Sequence, residues 1–118
     1  MHWFTAMNKI TQIIDHSYSD FKHLFEHPES PEHLHVQGSE QAFDLLKQIP
    51  QRGLGIVGTR SPTTRGIYFL QQMLESLKEQ NLVIISGFAR GIDYMAHATA
   101  LDHMLPTVAI LGSGLEYE

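Results

Sequence analysis

Two glycine-rich turns, each closing a short apolar run and each carrying an arginine, hold the residues best suited to do chemistry. The first is Gly55-Ile56-Val57-Gly58-Thr59-Arg60-Ser61-Pro62-Thr63, and the second is Val83-Ile84-Ile85-Ser86-Gly87-Phe88-Ala89-Arg90-Gly91-Ile92-Asp93. In both, a buried-strand pattern stops at small residues and a helical pattern begins. Unpaired backbone N–H groups, a helix N-terminus and a guanidinium then meet in one place, and all three favour negative charge. Two such turns on neighbouring parallel strands make a site for more than one phosphate.

In the first turn Gly58 lets the backbone bend and lets a ligand approach it closely. Thr59, Ser61 and Thr63 supply hydroxyls, and Pro62 suits the entry to a helix. The bland alternative is a tight turn with Arg60 in solvent. In the second turn Arg90 has two readings, a phosphate ligand or an ion-pair partner of Asp93 or Glu116. Phe88 is either a plug in the core or a platform for a base. Asp93, in the first turn of the next helix, is expected to meet the helix dipole or free N–H groups. His97 reads as a packing or hydrogen-bonding residue.

Other motifs carry less. Gly53-Leu54-Gly55-Ile56-Val57-Gly58 matches G-x-G-x-x-G, but its glycines run through the strand. The acid a dinucleotide fold places ~20 residues later is replaced by Ser86-Gly87. No Gly-Lys-Ser/Thr occurs, which excludes a P-loop. The remaining histidines lack the spacing of a metal site, and there is no cysteine. No cofactor is expected.

These turns need strands and helices to hold them. Leu54–Val57, Leu82–Ile85 and Thr107–Leu111 are short, nearly continuous apolar runs. They alternate with helical patterns over about 64–80 and 92–104. Such alternation indicates an α/β fold with a parallel sheet covered on both faces. Upstream, Ile10, Ile13, Ile14, Phe21, Leu24 and Phe25 fit one face of a helix over 7–26, ended by Pro28 and Pro31. His33–Gln37 alternates like an edge strand and closes at Gly38. Ser39 is placed to cap a helix bearing Ala42, Leu45, Leu46 and Ile49, which Pro50 ends. The organisation expected is an N-terminal helical segment, 1–28, followed by the α/β domain, 29–118.

The 118 residues, 42% hydrophobic and 18% charged, suit one globular domain. No run approaches the ~20 apolar residues of a membrane span, and the opening residues lack a signal-peptide pattern. A cytoplasmic protein without a membrane role is expected. Net charge is −5, yet Arg60, Arg65 and Arg90 gather in or beside the turns, so a local basic site sits on an acidic body.

Taken in order, Gly55–Arg60, Pro62-Thr63, Gly66, Ser86–Asp93, Ala96-His97, Ala100-Leu101 and Thr107–Leu115 resemble the DprA/Smf family of DNA-processing proteins. Leu34–Gly38 resembles that family's lead-in strand. The resemblance covers about 30–117. It implies a Rossmann-like three-layer sandwich with a mostly parallel sheet, here incomplete at the C-terminus. It also implies binding of single-stranded DNA during natural transformation, loading of a RecA-type recombinase, self-association and no established catalysis. Carried over, Arg60 and Arg90 grip phosphates, and Gly58, Thr59 and Gly87 offer close-approach backbone. Ser61, Thr63 and Ser86 stand beside them, and Phe88 lies against a base. Arg65 replaces an aromatic common in the family and adds charge. The rivals are a LOG-type nucleotide phosphoribohydrolase, whose P-G-G-x-G-T motif is absent at Gly112-Ser113-Gly114-Leu115-Glu116, and a truncated remnant that binds nothing.

Overall fold

A computed structural model describes residues 9–112. The chain divides into two compact units, Met1–Gln51 and Arg52–Glu118. The expected boundary at 28/29 therefore falls inside the first unit.

The first unit corrects the N-terminal helical segment. Ile10–Asp15 is a strand, β1, and it pairs antiparallel with β2, His33–Gly38, in the register Ile10↔Gly38 to Asp15↔His33. Four of its six residues are Ile or Thr, which pack better on a pleated surface than on a helix. Their side chains alternate, with Ile14 fully buried and Ile13 exposed. The Asp15 carboxylate accepts the Ser17 N–H at 2.9 Å and closes the strand in a turn. Among the described residues before Pro28, helix appears only as a 3-10 segment, Ser19–Phe25, which buries Phe21. Phe21 meets Phe43 edge to face, ring centres 6.4 Å apart. Phe43 belongs to α1, Glu40–Lys47, whose start is capped by Ser39 as the sequence indicates, its hydroxyl accepting the Ala42 N–H at 3.2 Å. A short helix, α2 (Ile49–Arg52), follows.

The second unit is the α/β part. Its order is β3 (Gly53–Gly55), α3 (Thr64–Leu77), β4 (Val83–Ser86), α4 (Ile92–Asp102) and β5 (Thr107–Ala109). The strands form a parallel sheet in the order β3-β4-β5, with Leu54 opposite Ile84 and Ile84 opposite Thr107. Three strands in sequential order with right-handed crossovers place both connecting helices on one face. Accordingly α3 and α4 touch, and Leu70 and Leu74 of one join Ala96 and Ala100 of the other over Ile56 and Ile84. The described residues thus show two of the three expected layers. Small Ala96 and Ala100 let α4 approach closely, while α3 contributes the larger leucines. Arg52 staples the start of β3 to the loop before β4, donating from Nε to the Asn81 carbonyl and from Nη2 to Asn81 Oδ1, each at 2.7 Å.

Candidate functional site

Both turns lie at the carboxyl ends of their parallel strands, the position where open α/β sheets bind ligands. β3 runs out at Gly55, and Ile56 still donates to the Ile85 carbonyl at 2.8 Å before the chain leaves the sheet. Thr63 then caps α3, its hydroxyl accepting the Gly66 N–H at 3.0 Å. β4 ends at Ser86, and α4 starts only after Gly91.

The two turns are fastened to each other. Asp93 is 7% exposed, and its two oxygens reach different turns. Oδ1 accepts the Gly58 N–H at 3.3 Å and Oδ2 accepts the Gly87 N–H at 3.2 Å. Ile92 donates its N–H to the Thr59 carbonyl at 3.0 Å. Three glycines make this approach feasible. A Cβ on Gly58 lies 2.7 Å from the Ile92 side chain, and one on Gly87 lies 2.9 Å from Asp93 Oδ2. Gly91 has φ +92, and a Cβ there falls 2.3 Å from the Thr59 carbonyl oxygen. These glycines serve contact between turn and turn. The N–H groups of Gly58 and Gly87, assigned from sequence to a ligand, are held by the chain's own carboxylate.

The hydroxyls divide in the same way. Ser86 is 3% exposed and donates to the Ile56 carbonyl at 2.6 Å, so its hydroxyl ties β4 to β3 inside the unit. Thr59 Oγ1 accepts the Ser61 N–H at 3.1 Å, which shapes the turn and leaves its O–H free to donate outward. Thr59, Ser61 and Thr63 are exposed.

Arg60, Arg65 and Arg90 are also exposed, and none has an ion-pair partner among the described residues. The Asp93 carboxylate, one alternative partner for Arg90, is spent on backbone N–H groups. The other, Glu116, lies outside the described residues, as do the final turn from Ser113 onward and the opening residues up to Asn8.

Phe88 sits half-buried at φ +60, a left-handed conformation a non-glycine residue adopts at some cost. Its ring lies 5.9 Å from Tyr94 and 5.5 Å from His97, the latter edge to face. The aromatic is thus braced against α4 with part of its surface open. His97 is 2% exposed, and its Nδ1 lies 2.6 Å from Thr107 Oγ1, linking α4 to β5. Its Nε2 has no hydrogen-bond partner among the described residues. Burial pushes its pKa below the ordinary imidazole value, and the Asp93 charge and the Ser86 backbone oppose that shift. No group of three or more His, Asp or Glu among the described residues is placed to hold a metal ion. No described helix is long and apolar enough to cross a membrane.

Sequence reasoning reached the arginines and anticipated that Asp93 would find N–H groups. It missed the arm of Asp93 that reaches Gly58, thirty-five positions away. It also missed two exposed apolar side chains beside the first turn. Val57 is 83% exposed although it ends a strand pattern, and Phe69 on α3 is 69% exposed. The available signal was the apolar stripe of α3, Ile67-Leu70-Met73-Leu74-Leu77, from which Phe69 is offset.

A parallel α/β sheet whose strand ends carry glycine turns, with exposed arginines that have no ion pair among the described residues, defines a Rossmann-like domain. Comparison with known proteins agrees on the fold. The crystal structure of DNA processing protein A (DprA) from Streptococcus pneumoniae superposes with a TM-score of 0.76 at 27% identity, over 90% of this chain and 35% of that one. The family model for DNA recombination-mediator protein A matches residues 9–118, and the chain belongs to that family. Among its relatives, Protein Smf of Synechocystis is 39% identical over 79% of this chain and 23% of its own length. DNA processing protein DprA of Streptococcus pneumoniae is 34% identical over 88% and 34%. The chain thus spans about a quarter to a third of the length of the curated relatives it matches.

Proposed function

We propose that the paired turns bind the backbone of single-stranded DNA, with Arg60, Arg65 and Arg90 on phosphates and the open part of Phe88 beside a base. The observation that carries this reading is the set of three exposed arginines around two joined strand ends, without ion pairs among the described residues. Charge-assisted contacts from guanidinium to phosphate supply sequence-independent affinity, and an aromatic face accepts any base. Because Asp93 holds Gly58 N–H and Gly87 N–H, the arginines and the exposed residues Thr59, Ser61 and Thr63 do the gripping. The reading is of a binding module and not an enzyme. Membership of a recombination-mediator family supports a RecA-type recombinase as partner. Natural transformation, self-association and a cytoplasmic location belong to the same reading, through the family resemblance.

Fluorescence anisotropy of a short oligothymidine against a duplex of equal length tests it. The single strand is expected to bind more tightly at low salt. Arg60→Ala and Arg90→Ala are each expected to weaken binding by roughly 1–3 kcal/mol and to lower the salt slope by about 0.7. Equal binding of both nucleic acids, or arginine variants with an unchanged slope, rejects the reading.

A further inference from the structure

Beside the first turn a groove of about 440 Å³ opens between Val57–Thr63 and α3. Val57, Phe69, Met73 and Gly66 are among the residues that line it. Gly66 leaves the lining bare at its place, where a Cβ would press on Thr63 Oγ1 at 3.3 Å. Helical spacing puts Gly66, Phe69 and Met73 on one face of α3. Phe69 has no aromatic partner among the described residues, unlike Phe88, which already leans on Tyr94 and His97. Thr59 and Ser61 stand at the rim, and no carboxylate lines the cavity. Arg60 and Arg65 flank it without ion pairs among the described residues.

An apolar slot with hydroxyls at its mouth and cations beside it asks for a flat, weakly polar body attached to a negative charge. We propose that this groove is a nucleobase subsite, taking one base of the strand whose phosphate Arg60 holds. The proposal rests on the single-strand reading above and adds a second base contact, separate from Phe88. The base lies against Phe69 with Val57 opposite, and its attached sugar-phosphate leaves past Thr59 and Ser61. An apolar side chain from a protein partner would fill the walls equally well. The flanking arginines and the absence of acidic lining favour the polyanion. Base contact of this kind depends on a face and not on hydrogen-bond readout, so it tolerates any sequence.

The test uses the full chain and two labelled probes of equal length, an oligothymidine and an abasic deoxyribose-phosphate oligomer. Phe69→Ala removes the aromatic from the lining, and Gly66→Val adds bulk to it. Each is expected to weaken oligothymidine binding by about 5- to 150-fold, the range of one lost stacking contact. Each is expected to leave the abasic probe and the salt slope unchanged. Unaltered oligothymidine binding by Phe69→Ala overturns the subsite while the arginine reading stands; this variant keeps the test open if Gly66→Val does not fold. A wild-type chain that binds neither probe overturns both readings. A Phe69→Ala variant that loses self-association in sedimentation, with unchanged oligothymidine binding, assigns the groove to a protein partner and overturns the proposal.

Discussion

Replacing Asp93 by asparagine keeps the size of the side chain and removes its charge and one acceptor. In the native arrangement Oδ1 holds Gly58 N–H at 3.3 Å and Oδ2 holds Gly87 N–H at 3.2 Å. Hydrogen bonds to a charged group contribute about 1.5–3 kcal/mol each. Both are longer than the ~2.9 Å norm, so each belongs near the lower end, about 1.5 kcal/mol. Asparagine keeps one of them and turns its NH₂ toward the other N–H. The carboxylate also faces the start of α4, an interaction with the helix dipole of about 0.5 kcal/mol. Asp93→Asn should therefore cost about 2 kcal/mol, and Asp93→Ala, which loses both bonds, about 3.5 kcal/mol. For a chain of this size the first corresponds to a fall in Tm of roughly 8 °C. Urea and thermal denaturation followed by circular dichroism measure both. A loss below about 0.5 kcal/mol in Asp93→Asn, or equal losses in the two variants, would refute the clamp, because a clamp of two arms must give graded costs.

The glycines that let the turns meet make a second, ordered series. Gly91→Ala should cost about 3 kcal/mol or more, since it adds backbone strain at φ +92 to a collision with the Thr59 carbonyl. Gly55→Ala, with open space around its Cβ, should stay within about 0.5 kcal/mol in the same denaturation experiment. His97 sets a pH dependence. Burial lowers its folded pKa, so below about 6.5 the unfolded chain takes up a proton that the folded chain refuses. The contribution is complete above that pH and is lost as pH falls toward the folded value. Urea midpoints measured from pH 8 down to 5 should fall on the acid side, and His97→Gln should flatten that limb; parallel curves would rule His97 out as the source.

Much of the second unit was legible because its signals are redundant. Continuous apolar runs, the breaks at Pro62 and Pro106 and the small-residue turns all mark the same strands and helices, and β3 to β5 lie where those runs are. The first unit was misread at β1 because Ile10, Ile13 and Ile14 satisfy a helical spacing as well as a strand. Over so short a run periodicity alone cannot choose. The β-branched content of Ile10–Asp15 was the better guide, and the partner that decides the matter, His33–Gly38, is supplied by tertiary pairing. That α3 and α4 share one face of the sheet was hidden for a different reason. Strand order determines which face a crossover helix covers, and order is not written in any one segment.

The site shows the same division between local chemistry and long-range geometry. A glycine before a helix reads from sequence as a place where a ligand meets bare backbone. Here Gly58, Gly87 and Gly91 are bare because Ile92, Asp93 and Thr59 come that close. Intramolecular approach and ligand approach have identical sequence signatures, and only coordinates separate them. The consequence for binding is directional. With its best-placed N–H groups satisfied inside, this edge of the sheet does not work as a backbone anion cradle of the P-loop kind. On the proposed single-strand reading, affinity for a polyanion comes from exposed side chains, Arg60 and Arg90 on the turns and Arg65 on α3. Such contacts follow a flexible, repeating backbone more readily than they enclose one compact phosphate group. Within the proposed reading, that favours a strand of nucleic acid over a mononucleotide as the ligand.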